Sequence, residues 1–130
     1  MPNTSVPAQD IGYNVVQCLA KKVTFADNGV AKTLGVIPAG AVVIGAGVVV
    51  TAAFNAGTTN TLNIGTSADD DGFATLLALG TIGNIVWDEL ATSNDLYQTS
   101  DTTLTATVVL TGTAATAGTG FVYVQYVMVR

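Results

Sequence analysis

The stretch Val36-Ile37-Pro38-Ala39-Gly40-Ala41-Val42-Val43-Ile44-Gly45-Ala46-Gly47-Val48-Val49-Val50-Thr51-Ala52-Ala53-Phe54 decides the fold. It is uncharged and about as long as a bilayer span, so a transmembrane helix has to be weighed first. Read at a period of two, Val42, Ile44, Ala46, Val48, Val50, Ala52 and Phe54 fall on one face, and Ala41, Val43, Gly45, Gly47, Val49, Thr51 and Ala53 on the other. Large side chains on one face and mostly small ones on the other is strand behaviour. A spanning helix would also carry basic or aromatic anchors at its ends, whereas Pro38, Gly40 and Asn55 are turn formers. The run is expected to be a long strand, with Gly45 and Gly47 admitting a bend or bulge.

Downstream of it, the polar loop Asn55 to Asn60 leads into Thr61-Leu62-Asn63-Ile64-Gly65, a short alternating strand that reads as the second arm of a hairpin. Ser67 to Gly83 is expected to form a short helix or irregular crossover, with Asp69-Asp70-Asp71-Gly72 capping a turn through Phe73, Leu76, Leu77 and Leu79. An acidic loop before a short strand is the alternative. Ile85 to Trp87 and Leu96-Tyr97 read as brief strands. From Thr103 to Thr111, threonines alternate with Leu104, Ala106, Val108 and Leu110, which puts threonine outward and aliphatics inward. Phe121 to Val129 is apolar on both faces and is expected to lie centrally in a sheet, covered on both sides, with another subunit as a candidate for one cover.

Upstream, Tyr13 to Phe25 is a strand or strand pair that ends at Ala26-Asp27-Asn28-Gly29, where Asn and Gly tolerate a positive φ. The first dozen residues hold Pro2 and Pro7 with Asn3, Thr4 and Ser5, which suits an extended arm. The fold class is therefore all-β: a two-sheet antiparallel β-sandwich, jelly-roll-like or immunoglobulin-like in order, with jelly-roll preferred, spanning residues 13–130 behind an N-terminal arm of residues 1–12. No repeat suggests a solenoid or propeller.

Composition limits what such a domain can do. The 130 residues and 13.2 kDa suit one domain, and charged residues are 10% of the chain against roughly 25% in ordinary globular proteins. The basic residues are Lys21, Lys22, Lys32 and Arg130, so Thr33 to Val129 carries no positive charge, and the net charge is -5. Such a chain repels phosphate backbones and anionic lipid, and direct binding of nucleic acid or membrane is not expected. The N-terminus has neither the basic nor the apolar region of a secretory signal. With one cysteine, Cys18, no intrachain disulfide can form. Its neighbours Val15, Val16, Leu19 and Ala20 predict a buried, inert thiol.

The chain has no histidine, which removes Ser-His-Asp and Cys-His arrangements and the usual His/Cys zinc sites. Asp88 and Glu89 beside Trp87 are the candidates for a carboxylate pair, but strand neighbours point to opposite faces, and pairing with Asp95 or Asp101 has no further support. Asp69-Asp70-Asp71-Gly72 invites a calcium reading, yet Phe73 stands where an EF-hand loop needs an oxygen and no Glu closes the loop. No glycine pattern fits a nucleotide phosphate loop. The row Thr103, Thr105 and Thr107 is read as a solvent face rather than an ice-ordering array. No enzymatic activity, cofactor or metal is expected.

Gly35-Val36-Ile37-Pro38-Ala39-Gly40, Phe54-Asn55-Ala56-Gly57-Thr58-Thr59, Leu62 to Asp69, Leu104-Thr105-Ala106 and Thr116-Ala117-Gly118 before a valine-and-tyrosine terminal strand resemble small virion proteins of tailed bacteriophages. The likeness runs from Gly35 to Val129. It implies a β-sandwich that decorates, cements or projects from a capsid in the virion, assembled in the host cytoplasm, bound to the major capsid protein and to its own copies, commonly as a trimer. A fibre, tail or neck component with a receptor- or carbohydrate-binding role is the alternative, for which Trp87, Tyr97 or Tyr13 would serve as stacking platforms. The candidate interface residues are Pro2, Val6, Pro7 and Ile11 in the arm, Tyr13 at the start of the sandwich, and Tyr123 and Tyr126 in the terminal strand.

Overall fold

Valine- and threonine-rich segments with a two-residue period fill eight strands in a computed structural model that describes residues 15–87 and 96–129. They are β1 (Gln17–Thr24), β2 (Ala31–Ile37), β3 (Ala41–Ala52), β4 (Thr59–Gly65), β5 (Ala74–Ala78), β6 (Gly83–Val86), β7 (Thr102–Thr111) and β8 (Thr119–Met128). Sheet I has the order β1-β8-β3-β6 and sheet II the order β2-β7-β4-β5, and every pairing is antiparallel. The pairs β1-β8, β2-β7, β3-β6 and β4-β5 nest inside one another, so the chain is a doubled ribbon rolled into two sheets. That connectivity is a jelly roll.

The inner faces interlock into one core. Val23 from β1, Val43, Ala46, Val48 and Val50 from β3, and Val122, Val124, Tyr126 and Met128 from β8 meet Leu62 and Ile64 of β4 and Leu104, Ala106 and Val108 of β7, all buried. Each fully buried valine, leucine or isoleucine contributes roughly 1.5–3 kcal/mol. In β7 the inward set is the expected one. Thr103 and Thr111 are exposed as expected, but Thr105 is buried and its hydroxyl donates to the Gly65 carbonyl at 3.4 Å.

The chain departs from the sequence reading at four places. Ser67 to Gly83 forms no helix: a turn at Asp70 and Asp71 leads into β5, because Phe73, Ala74, Leu77 and Leu79 are all needed on the sheet's inner face. Getting them there takes an irregular backbone, with Leu76 at φ 55° and its N–H donated to the Asn63 side chain at 2.9 Å. The strands β3 and β4 are not a hairpin, since successive strands change sheets and β4-β5 is the one consecutive pair among the described strands. Between Val43 and Gly45 the register of β3 against β8 slips by one, and the strand changes phase. Ala41 and Val43 consequently point inward, while Ile44 is exposed and Val42 half-exposed. Finally, Cys18 is exposed rather than buried, because Leu19 and Val23 are the residues of edge strand β1 that meet the core.

Loops gather at two ends. At one, the Phe25 N–H donates to Gly118, Gly57 to Thr113 and Phe54 to Leu79, and the Asn28 side chain holds both the Leu110 N–H and carbonyl. Gly29 supplies the positive φ of 76° that the Asp27-Asn28-Gly29 turn requires. At the other end Gly40 N–H donates to Gln98, Val129 N–H to Gly40, and Ala39 N–H to the Asp101 carboxylate.

Candidate interaction surface

The outer face of sheet I stands out by what it lacks. Registered pairs share a face, so the outward residues can be followed across the strands: Lys22, Phe121, Val49 and Asn84 form one row, and Ala20, Tyr123, Gly47 and Val86 the next. Further along, Cys18 and Gln125 lie beside the bulge at Gly45, and Val42 sits between Val127 and Tyr97. Among the described residues of this face, Lys22 carries the one charge.

Two glycines flatten it. A Cβ on Gly47 would lie 2.6 Å from the Tyr123 hydroxyl and 2.6 Å from the Ile85 carbonyl, so the Tyr123 ring lies down across β3, where its hydroxyl donates to Asn84 at 3.1 Å. A Cβ on Gly45 would stand 2.8 Å from the amide oxygen of Gln125, which is laid over the bulge in the same way. Around these recumbent side chains Phe121, Ile44 and Val49 are 44%, 44% and 37% exposed, and Val86 58%. Sheet II differs. Its outer face carries a row of threonines, of which Thr33, Thr103 and Thr111 are exposed while Thr105 and the hydroxyls of Thr61 and Thr107 are buried, and it also exposes Val36 and Leu76.

The sequence-derived interface residues divide. Pro2, Val6, Pro7, Ile11 and Tyr13 lie outside the described residues. Tyr123 is at the centre of the flat face, whereas Tyr126 points into the core, 7% exposed, with its hydroxyl donating to the Gln17 side chain at 3.1 Å. Sequence reading did not single out Phe121, Val49 or Val86. The signal for Phe121 was available in the two-sided apolarity of the last strand, but β6 is too short to reveal its faces.

The remaining chemistry-bearing groups do not assemble. Asp88, Glu89 and Asp95 lie outside the described residues, and Asp101 holds the Ala39 N–H at 3.0 Å. The carboxylates of Asp69, Asp70 and Asp71 reach within 4.8 Å of one another, all exposed, in a loop closed by its own bonds from Thr66 and Gly72 N–H to the Asp69 carbonyl. A cavity of about 400 Å³ beside that loop is walled by Thr66, Asp69, Phe73, Tyr97, Gln98 and Thr102, and the described lining sets no base opposite Asp69. Trp87 packs partly buried against the core, while Tyr97 is 49% exposed and pairs with Val42. No helix among the described residues is long and apolar enough to cross a membrane.

Comparison with solved structures places this architecture. A chain of the cyanophage Pam1 capsid asymmetric unit superposes with a TM-score of 0.67 at 19% identity, over 98% of this chain and 94% of that one. The protein shares its fold. A chain of the acid-stable capsid structure of Helicobacter pylori bacteriophage KHP30 superposes with a TM-score of 0.61 at 20% identity, covering 88% of each chain. No protein-family model matches the sequence, and no curated protein matches it. At these identities the likeness is one of fold, and it runs nearly end to end on both sides.

Proposed function

We propose that the protein is a virion structural protein, a capsid decoration or cement subunit that binds the phage head through protein-protein contacts. The observation that carries this reading is the mutual coverage. A match over 98% of this chain and 94% of the Pam1 chain sets this jelly roll beside a chain of similar length in a capsid. A jelly roll of this small size suits a part added to a shell better than the part that builds it.

Surface chemistry supports the same reading. Subunits crowded on a shell repel one another less when their surfaces carry little charge, and this chain offers one aromatic face with Lys22 as its single described charge and one threonine-rich face. The partners on this reading are the major capsid protein and further copies of the chain, as a trimer in keeping with the family resemblance. Residues 1–12, with Pro2, Val6, Pro7 and Ile11, are proposed as the attachment arm and Tyr13 as the start of the folded part. No catalytic, cofactor or metal residues are assigned.

Co-sedimentation with capsids that lack the protein is the test. Saturable binding at a fixed ratio to the major capsid protein, together with a raised capsid melting temperature, is expected. Failure to bind such capsids at any concentration refutes the decoration role, and loss of binding on removing residues 1–12 would assign attachment to the arm.

A further inference from the structure

Going beyond the structural-subunit reading, we infer that the cavity at the Gln98 end of the sandwich binds a neutral pyranose unit of a glycan, with Tyr97 stacking on the sugar ring and Asp69, Gln98 and Thr102 bonding its hydroxyls.

The cavity lies between the loop that carries the chain from β4 to β5 and the segment that leads into β7. Both walls are fixed by backbone bonds. On one side the Thr66 and Gly72 N–H groups donate to the Asp69 carbonyl at 2.8 and 3.3 Å, and the Phe73 N–H donates to Ile64 at 2.9 Å. On the other, the Gln98 N–H donates to Ala41 and its carbonyl accepts the Gly40 N–H, both at 2.8 Å, while the Thr102 hydroxyl donates to the Gln98 amide oxygen at 2.7 Å. A lining held in place before the ligand arrives loses little freedom on binding. Gln98 is 7% exposed, and Thr105 is the other buried polar residue among those described. Thr105 is accounted for by its bond to Gly65 within sheet II, whereas Gln98 is set into a cavity wall.

The lining selects the ligand. At about 400 Å³ the cavity falls within the roughly 300–1,000 Å³ of small-molecule sites. Its aromatic part is Phe73, buried, and Tyr97, 49% exposed, and a half-exposed ring offers its face to the C–H side of a sugar. The rest is hydroxyl and amide groups with one carboxylate, the mixture of donors and acceptors that a polyhydroxylated ring can satisfy. A Cβ on Gly72 would stand 3.1 Å from an Asp69 carboxylate oxygen, so the glycine makes room for that carboxylate at the wall. Anions are opposed, because Asp69 faces them and no basic residue lies between Thr33 and Val129. An apolar ligand would strip water from Asp69 and the hydroxyls without replacing it. A cationic amine would meet Asp69 and Tyr97, but it would leave the neutral groups of the lining unused.

The test uses the full chain and the methyl pyranosides of glucose, galactose, mannose and N-acetylglucosamine, each a neutral mimic of a unit within a glycan. Saturation-transfer NMR with irradiation of aromatic protons reads contact with the sugar ring, and calorimetric titration reads affinity. At least one glycoside is expected to bind with a millimolar dissociation constant, as about twelve non-hydrogen atoms can sustain. Tyr97→Ala should weaken it about tenfold while Tyr97→Phe keeps it, and Asp69→Asn should weaken it about fivefold. Asp71→Asn, in the same loop but outside the cavity wall, should leave it unchanged. Circular dichroism and the thermal midpoint establish that each variant is folded.

Absence of contact with every glycoside overturns the inference. Binding that survives both Tyr97→Ala and Asp69→Asn unchanged overturns it as well, by placing the sugar elsewhere. Spermidine bound more tightly than any glycoside, and lost in Asp69→Asn, would give the cavity to a cation instead. None of these measurements involves capsids, so failure here leaves the decoration reading as it stands, and failure of capsid co-sedimentation leaves this one.

Discussion

Gly47 shows how one residue can serve the surface of a sheet rather than its backbone. Its neighbours on β8 and β6 are Tyr123 and Val86, and the space above its Cα is filled by the Tyr123 ring. A side chain here could push the ring away, since Tyr123 is free to rotate outward, but it would also meet the Ile85 carbonyl at 2.6 Å, which belongs to a paired strand and cannot rotate. Gly47→Val should therefore destabilise the fold by about 1–3 kcal/mol, the usual cost of overpacking, despite the high strand propensity of valine. Denaturant unfolding of the variant measures this, and an unchanged midpoint would mean that β6 yields more readily than its pairing suggests. The sequence marks Gly45 and Gly47 as a site of bending only in the sense that glycines interrupt a strand. The bulge occurs at Gly45, whereas the role of Gly47 depends on what lies across the sheet from it, and no local pattern records that.

At the scale of elements, the link between the two sheets at the β1-β2 corner rests on charge. Lys32 on β2 donates to the Lys22 carbonyl on β1 at 3.0 Å and to the Asp27 carboxylate at 3.2 Å, and Asp27 in turn accepts the Thr24 N–H at 2.8 Å. Partial burial disfavours the charged carboxylate, but the Thr24 N–H, the Lys32 ammonium and the Thr24 hydroxyl together outweigh it and hold Asp27 below its ordinary pKa. A group depressed in the folded state stabilises above its unfolded pKa, about 3.9, and that contribution is lost as pH falls through the lower folded value. Asp27→Asn keeps an oxygen for the Thr24 N–H but removes the charge, so it should lower stability at pH 7 by about 0.5–1 kcal/mol and have little effect well below pH 4. Urea unfolding at several pH values checks this, and an equal loss at pH 7 and at pH 2.5 would assign the effect to packing instead. The corner itself was legible, because Asp27-Asn28-Gly29 is a local signal. Its clamp was not, since Lys32 reads as a solvated charge until β2 is placed beside β1. In the β5 segment the spacing of Phe73, Leu76 and Leu77 fits a helical turn as well as the acidic loop and short strand that form, and the choice is made by Asn63 on β4, which accepts the Leu76 N–H.

For the whole molecule, the nested pairing makes the last strand the one that completes the sandwich. β8 lies between β1 and β3, so sheet I has no continuous hydrogen-bonded path from its first strand to its third until residues 119–128 are in place. The same strand brings Val122, Val124, Tyr126 and Met128 into the core, and without them the inner faces of Val23, Val43 and Val48 would be open to water. A chain ending at Gly118 would thus lose more than one strand's share of stability: β1 would have no partner, and β3 would keep its four-residue pairing with β6 alone. Such a truncation should be unfolded or aggregated, with the strand signal of circular dichroism largely gone, and adding back a peptide of residues 119–130 should restore part of it. Retention of a cooperative thermal transition by the truncated chain would show that sheet II and its half of the core fold alone. The alternation of Phe121 to Val129 made the central place of this strand readable from sequence, but not its neighbours, because pairing between the first strand and the last is set by rolling the whole ribbon. The same non-local pairing predicts slow refolding, in milliseconds to seconds, as in other folds dominated by distant contacts, and β8 has to be available before either sheet I neighbour can be held.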